Sequence, residues 1–323
     1  MTRRTATNAL LTLGGVALLV WQIDRIGLAA VRNGLATVGA GILLILLLQW
    51  MRFAARSYAW MRLLDTPAPL STAVAATVSG DALGNLTPLG LIASEPAKAV
   101  YLAPRIDPAR ALAALTAENF FYSVSVAIYI VCGAAVLLVA FTLPDTVRLS
   151  GLVVVAVMAC VLGAAAWIAW QRPAAASAVV ARLPFRRAAA FVERVREFER
   201  QTYGAVGGRS SRLRSVVLAE LAFHIMSLGE CWFTLALLTG RSLPLEALTL
   251  DSLNRVINIA FRVIPLRAGV DEVSATALAT AIGLDGGTGL VLALVRKVRI
   301  IAWAIVGLVL WALRGRATAA SRD

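Results

Sequence analysis

Two short segments place ionisable residues beside prolines and glycines in a chain that is otherwise rich in leucine, alanine and valine. The first is TPLGLIASEPAKAV, residues 87–100, and the second is PLRAGVDEVSA, residues 265–275. Each contains a glutamate seven positions after a proline, Glu95 in the first and Glu272 in the second. A carboxylate at the depth of a bilayer is costly unless it is protonated, hydrated or paired with a base. We therefore expect both glutamates to line a polar cavity.

The same segments are expected to interrupt helices. Backbone amides that proline and glycine leave without partners cannot face lipid, so a broken helix at this depth must border a wet or protein-walled hollow. The amino-terminal ends of half-helices also attract an anionic headgroup. The alternative is a kinked helix with a packing role. Five residues are expected to form these breaks: Pro88, Gly90, Pro96, Pro265 and Gly269.

Lys98 lies three positions after Glu95, a spacing that allows the two side chains to pair on one helix face. A lysine in this position is suited to bind an anionic headgroup. The alternative is that its side chain extends to the cytoplasmic surface of the membrane.

A polar stripe follows in the next apolar run. It consists of Glu118, Tyr122, Ser125 and Tyr129, at spacings of four, three and four residues. This spacing puts all four side chains on one face of a helix. Such a stripe can join neighbouring helices by hydrogen bonds, but the glutamate favours the wall of a cavity.

The last apolar run contains a basic cluster, Arg296, Lys297 and Arg299. Fourteen uncharged residues follow it up to Leu313 and would rise about 21 Å, less than the roughly 30 Å of a hydrocarbon core. Part of the cluster should then lie within the membrane, where Arg296 and Arg299 share a face and suit phosphate binding. The alternative is contact with the outer headgroups.

His224 is the only histidine, and Glu220 precedes it by one helical turn. The pair is compatible with a proton relay or with a structural hydrogen bond. One histidine and three scattered cysteines, Cys132, Cys160 and Cys231, do not predict a metal site. No nucleotide loop or nucleophile triad is present, so we expect no catalytic residue, no metal and no cofactor, and no enzyme activity.

The elements that position these residues follow from composition. Of the 323 residues, 59% are apolar and only 15% are charged, against roughly 25% charged residues in soluble domains. A cleaved signal is a weaker interpretation of the first apolar run, because QIDRIG follows it. Six apolar runs of membrane-spanning character are 9–23, 35–51, 120–143, 149–170, 215–239 and 287–313.

The distribution of basic residues predicts the orientation. The formal net charge is +13, and ten arginines fall in the block 172–214. Such a block between two spans indicates a cytoplasmic loop, which either lies on an anionic leaflet or is solvated, and not a nucleic-acid site. Arg52 and Arg56 are expected beside the same cytoplasmic face. Both chain termini are then cytoplasmic, in a bacterial inner membrane.

An internal repeat accompanies this topology. Three pairs of residues are each separated by 177 positions: Pro67 and Pro244, Pro88 and Pro265, Glu95 and Glu272. The two segments enter the membrane from opposite sides, as in inverted-repeat transporters. The predicted fold is a single all-α integral membrane domain, 1–323, with about six full spans and two re-entrant segments. Repeat one covers about 67–143 and repeat two about 244–313.

At these residues the sequence resembles the flippase-like membrane family that includes the transmembrane, amino-terminal domain of lysylphosphatidylglycerol synthase. Glu95, Pro96 and Lys98 match one signature of that family. Pro265, Gly269 and Glu272 match another. The chain departs from the family where Ser94, Leu266 and Arg267 replace glycines, and where Asn119 and Tyr122 replace an arginine and an aspartate.

The resemblance implies a protein that moves an anionic lipid or a lipid-linked intermediate between leaflets. Its partners would be membrane lipids, together with a lipid-modifying enzyme or an oligomer partner. Two alternatives remain at this stage. One is a membrane-embedded transferase with Glu95 or Glu272 as base, and the other is a non-catalytic scaffold for a lipid-modifying enzyme.

Overall fold

The computed structural model shows a chain built from helices. It describes residues 28–64, 68–86, 90–103, 106–171, 196, 211–261, 264, 267 and 269–320. Over these ranges there are ten α-helices and no β-strand. The apolar run 9–23 and nearly all of the basic block 172–214 lie outside the described residues.

The helices differ widely in length. They are α1 Leu28–Val38, α2 Gly41–Leu63, α3 Leu70–Leu86, α4 Gly90–Leu102, α5 Pro108–Ala140, α6 Asp145–Gln171, α7 Ser211–Thr239, α8 Pro244–Ala260, α9 Val270–Ala281 and α10 Gly286–Ala320. Four of the shorter ones form two consecutive pairs, α3–α4 and α8–α9.

Four segments in this part of the chain are long and apolar enough to cross a membrane. They are Gly41–Leu63, Pro108–Ala140, Asp145–Trp167 and Ser211–Thr239. The other two expected spans are not among them. Run 9–23 is not described, and run 287–313 falls in α10, where the basic cluster at 296–299 interrupts the apolar residues.

The outer surface of the bundle is apolar. In α6 the side chains of Leu149, Leu152 and Trp167 are exposed, and only 6% of its most apolar window is buried. Contiguous exposed apolar surface is unfavourable in water. The chain is therefore a membrane protein whose outward faces meet lipid.

Each pair of short helices packs on a long helix from the other half of the chain. Helix α3 packs on α4 and on α10, and α8 packs on α5 and α9. Helices α2 and α7 form the most extensive helix pair. This arrangement brings residues from both halves together around α2, α5, α7 and α10.

Two apolar clusters leave a polar layer between them. One cluster contains apolar residues of α5 between 111 and 117, together with Val216 and Ala219 of α7. The other contains Leu137 of α5 with Cys231 and Leu235 of α7. The residues between these positions, 118–129 on α5 and 220–230 on α7, include the charged and hydroxyl-bearing side chains. The site is held between two packed apolar regions.

The expected helix breaks have different outcomes. Helix α3 ends at Leu86 and α4 begins at Gly90, while α9 begins after Gly269, which has a φ of 80° that favours glycine. Pro88 and Pro265 lie outside the described residues. Pro96 does not break a helix, because α4 continues through it. A proline inside a helix removes one hydrogen bond and bends the axis without necessarily ending it.

Gly289 provides a test of the α9–α10 contact. A Cβ at this position would lie 2.4 Å from the backbone oxygen of Ala275, whereas one at Gly163 would meet nothing within 4 Å. Gly289→Ala is expected to lower the free energy of unfolding by about 1–3 kcal/mol through overpacking. Denaturation in detergent micelles measures the change. Gly163→Ala is the matched control, and equal stability of the two variants would contradict the packing.

Candidate functional site

Charged side chains are concentrated inside the bundle, behind its apolar surface. Ionisable groups at bilayer depth normally face the interior and mark substrate, ion or proton pathways. Within the part of the chain that the structure describes, the buried charged residues are Arg52, Lys98, Glu118, Glu220, Glu230, Asp251, Arg255, Asp271, Glu272, Arg296 and Lys297.

The first group of these residues, the Glu118 cluster, joins α2, α4 and α5. Arg56 donates two hydrogen bonds to the carboxylate of Glu118, from Nε at 2.7 Å and from Nη2 at 2.6 Å. Lys98 Nζ lies 3.0 Å from Glu95 Oε1. Asn119 connects the two ion pairs, because it accepts from Arg56 at 2.9 Å and donates to Glu95 at 2.9 Å. The five side chains thus form one hydrogen-bonded chain.

A small, half-open cavity with room for about one water molecule adjoins this cluster. Both cations of the cluster and the carboxylate of Glu118 face it, and the rest of its wall is aromatic, aliphatic and hydroxyl-bearing. The cavity is lined by Arg56, Trp60, Thr77, Lys98, Leu115 and Glu118. Its wall therefore offers an anion two donors that carry charge.

The second group, the Asp251 cluster, lies between α5, α7, α8 and α10. The carboxylate of Asp251 accepts from Ser227 at 2.7 Å and from Tyr129 at 2.9 Å. It also accepts from Arg255 at 3.3 Å and from Arg296 at 3.4 Å. One buried carboxylate thus compensates two buried arginines.

Glu230 on α7 joins three helices. It accepts a hydrogen bond from Arg52 of α2 at 3.2 Å, and its carboxylate also binds Arg299 of α10. Because α2 and α10 belong to opposite ends of the sequence, this ion pair network ties the two halves of the chain together.

A further ion pair joins α9 and α10. Lys297 of α10 donates to Glu272 of α9, whose side chain is fully buried. Arg267, which precedes α9, donates from Nε to Asp271 of α9 at 3.1 Å. The carboxylates of α9 are therefore neutralised locally.

Aromatic rings cover one arginine of the Glu118 cluster and one of the ion pairs around Glu230. The guanidinium of Arg56 lies 4.0 Å from the ring centroid of Tyr122, and that of Arg52 lies 4.6 Å from Phe223. The hydroxyl of Tyr122 accepts a hydrogen bond from Arg255 at 3.4 Å. Such contacts shield a cation from lipid while keeping it available to a polar partner.

With this geometry known, comparison with protein families identifies the chain. The family model described as the lysylphosphatidylglycerol synthase TM region matches residues 8–317. The chain belongs to this family. It is accordingly a membrane protein tied to lipid metabolism or transport. No curated protein and no solved structure gives a significant match.

The structure brings together four of the residues predicted to line the lipid path. Glu95 and Lys98 pair on one face of α4, and Glu118 and Tyr122 both contact Arg56. Glu272 belongs to a separate pair on α9 and α10. The Asn119 that stands in place of the family's arginine links Glu95 to Arg56.

The two arginines expected to bind phosphate are engaged with carboxylates. Arg296 pairs with Asp251, and Arg299 pairs with Glu230. Their role toward phosphate stays a prediction. A substrate anion would have to compete with these carboxylates for the same guanidinium groups.

Sequence reasoning missed several charged residues of the site. Arg52 and Arg56, expected beside the cytoplasmic face, form ion pairs with carboxylates of α7 and α5, and their side of the membrane stays a prediction. The signal that could have found the missing residues is a single charge within an apolar run. The residues not predicted as part of the site are Arg52, Arg56, Glu230, Asp251 and Arg255.

Over the described ranges no group of three or more histidine, cysteine, aspartate or glutamate residues is arranged to hold a metal ion. Cys132 and Cys160 are exposed, and Cys231 is buried with its sulfur 3.4 Å from Arg296. What the site offers instead is a set of paired cations and carboxylates that can exchange partners.

Proposed function

We propose that the chain moves an anionic lipid, or a lipid-linked intermediate, between the leaflets of the bacterial inner membrane. The observation that supports it best is the cavity lined by Arg56 and Lys98 behind an apolar exterior. An anionic headgroup needs compensating cations while it crosses, and its acyl chains can stay in lipid. In this proposal the protein performs no catalysis, and both chain termini are cytoplasmic.

The ion pairs of the site suit transient binding. Arg56 and Lys98 are each held by a carboxylate, Glu118 and Glu95. A phosphate group can replace a carboxylate as the partner of a guanidinium or an ammonium at little net electrostatic cost. Release of the headgroup then restores the internal pairs. While the headgroup is held, each displaced carboxylate has to bind a proton or another cation, because a buried charge without a partner is costly.

The pattern of helix lengths supports the inverted repeat that the sequence predicts. Helices α3, α4 and α5 have 17, 13 and 33 residues, and α8, α9 and α10 have 17, 12 and 35. In this proposal α3–α4 and α8–α9 are the two re-entrant segments, entering from opposite leaflets. Their junctions fall at Gly90 and Gly269, close to Pro88 and Pro265.

The ion pairs between long helices are consistent with the same symmetry. In the first half a carboxylate on α5, Glu118, binds an arginine on α2, Arg56. In the second half an arginine on α10, Arg299, binds a carboxylate on α7, Glu230. The two pairs occupy corresponding helices with the charges reversed. We infer that each pair holds one side of the lipid path closed until a headgroup or its counter-charge enters.

Lys98→Gln tests the proposal directly. The protein is reconstituted in liposomes, and leaflet exchange of a fluorescent anionic lipid is followed by quenching of the outer leaflet. We expect wild-type protein to accelerate exchange and Lys98→Gln to slow it by roughly tenfold, because a hydrogen bond to a charged group contributes about 1.5–3 kcal/mol.

Arg241→Gln is the matched control, since Arg241 is exposed in the connection between α7 and α8. It should exchange lipid like the wild type. Wild-type exchange no faster than in protein-free liposomes would refute the proposed function. Equal rates for Lys98→Gln and Arg241→Gln would remove the cavity from the lipid path.

A further inference from the structure

Glu220 on α7 is a buried carboxyl group without a cationic partner in the described structure. Its side chain is 4% exposed, and Oε1 is buried without a hydrogen-bond partner. Its other oxygen, Oε2, lies 3.2 Å from Ser125 Oγ. Glu118 and Glu230, by contrast, each contact an arginine. Glu220 therefore differs from these neighbouring acids in having no counter-ion.

The hydrogen bonds around Ser125 need one more hydrogen than its hydroxyl group supplies. Its hydroxyl lies 2.8 Å from the carbonyl oxygen of Tyr122, 3.2 Å from Glu220 Oε2 and 3.1 Å from His224 Nε2. A hydroxyl donates one hydrogen bond. The carbonyl of Tyr122 and an ionised Glu220 can only accept, so Ser125 cannot serve both. A proton on Glu220 Oε2 resolves the conflict, because the acid then donates to Ser125.

His224 completes the group from the next helical turn. Its side chain is 7% exposed, Nδ1 is buried without a partner, and the ring stacks on Tyr129 with 4.6 Å between centroids. When Nε2 carries the ring hydrogen it donates to Ser125, which leaves Nδ1 as a free base. The two titratable side chains thus share one hydroxyl, and each retains an unused polar atom.

We infer that Glu220, Ser125 and His224 form a proton-binding site that couples proton movement to lipid transport. The inference rests on the proposed function. Its ligand is a hydrogen ion, which binds the Glu220 carboxylate on one side of the membrane and leaves it toward the other. The gradient of protons across the membrane supplies the driving force, and no nucleotide is required.

The electrostatic surroundings connect this site to the cavity. The charged and titratable groups that face it from neighbouring helices are Arg52 and Arg56 on α2, Glu118, Tyr122 and Tyr129 on α5, and Asp251 and Arg255 on α8. Among the charged groups, Glu118 repels the ionised form of Glu220, whereas Arg56 and Arg255 attract it.

Loss of the proton gives Arg56 a second acidic neighbour besides Glu118. The ion pair between Glu118 and Arg56 then weakens, because Arg56 is also attracted to Glu220. Both residues of this ion pair line the cavity. Binding of the proton has the opposite effect and restores the single pair. The occupancy of the proton site therefore changes the charge balance at the headgroup cavity through Arg56, without any residue common to the two sites.

Proton binding is measured first without any transport. Infrared difference spectra between acidic and alkaline buffer are recorded for protein in lipid nanodiscs. We expect the carbonyl band of a buried carboxylic acid in the wild type and in Glu246→Gln, which removes a partly exposed glutamate of α8. The band should be missing in Glu220→Gln. A Glu220→Gln spectrum identical to that of the wild type overturns the proton site.

Transport is measured second, as the ratio of lipid exchange rates with and without a pH gradient across the liposome membrane. Exchange should be several-fold faster with the gradient than without it in the wild type and in Glu246→Gln. In Glu220→Gln the two rates should be nearly equal. Wild-type exchange that ignores the gradient overturns the coupling while leaving lipid transport intact. Absence of any wild-type exchange refutes the proposed function, and the infrared band then still decides the proton site.

Ser125→Ala provides a second variant should Glu220→Gln fail to fold. It keeps the carboxyl group and removes the hydroxyl to which the protonated acid donates. The carbonyl band is expected to shift in frequency, because its hydrogen bond is lost. An unshifted band would show that Ser125 does not share the proton, and would overturn the arrangement proposed for the site.

Discussion

Asp251→Asn is expected to lower the free energy of unfolding by about 3–5 kcal/mol, the cost of breaking a buried ion pair. The substitution keeps the size of the side chain and removes only its charge. Arg255 and Arg296 would then remain buried without the carboxylate that both now contact. Uncompensated cations inside a membrane protein cannot be rehydrated without opening the helix packing.

The loss is measured by denaturation of the purified protein in detergent micelles. Tyr129→Phe removes only one hydrogen bond to Asp251 and should cost about 0.5–1.5 kcal/mol. Asp145→Asn, at the exposed start of α6, should change stability by less than about 0.5 kcal/mol. A loss for Asp251→Asn no greater than that for Tyr129→Phe would show that its charge is not needed in the fold.

We expect the double variant Arg56→Gln/Glu118→Gln to be more stable than either single variant. Either Arg56→Gln or Glu118→Gln leaves one buried charge unpaired, at a cost of about 3–5 kcal/mol. The double variant removes both charges and keeps side chains that can hydrogen-bond to one another. Its stability should therefore exceed that of each single variant, because the desolvation penalty disappears with the second charge.

A substitution on α4 gives a graded comparison within the Glu118 cluster. Glu95 is less buried than Glu118, so Glu95→Gln should cost less than Glu118→Gln when unfolding is measured under identical conditions. Additive losses in the double variant of Arg56 and Glu118 would contradict direct pairing, since residues in contact normally show a coupling of about 0.5–3 kcal/mol.

Lipid exchange by the double variant bears on the proposed function in a different way. Without Arg56 the cavity keeps only Lys98 as a cation on its wall. The double variant should then fold and yet exchange anionic lipid slowly. Stability and transport would thus separate in one protein, which no explanation based on misfolding can produce.

The local features of the site could be predicted from sequence because they depend on helical spacing alone. Lys98 and Glu95 are three residues apart on one helix, and they pair in the structure. The stripe from Glu118 to Tyr129 points into the bundle because its spacing keeps it on one face. The membrane class and the family likewise follow from apolar runs and short motifs, which are properties of the chain itself.

Partners on other helices could not be predicted in this way. Glu118 binds an arginine 62 residues away, and Glu230 binds one 178 residues away. Helical periodicity gives the face on which a side chain lies, but not the helix that packs against it. For this reason the sequence did not predict that Arg52 and Arg56 pair with carboxylates of other helices.

The amino-acid sequence alone thus determined that this protein is helical, lies in a membrane and carries charges within it, because chain length and apolarity decide how a segment meets lipid. It also determined which residues neighbour each other along a helix. Only the tertiary structure decided which cation meets which carboxylate, that α4 continues through Pro96, and that Glu220 forms no ion pair among the described residues. These outcomes depend on the packing of helices far apart in the chain, and packing is a property of the folded whole.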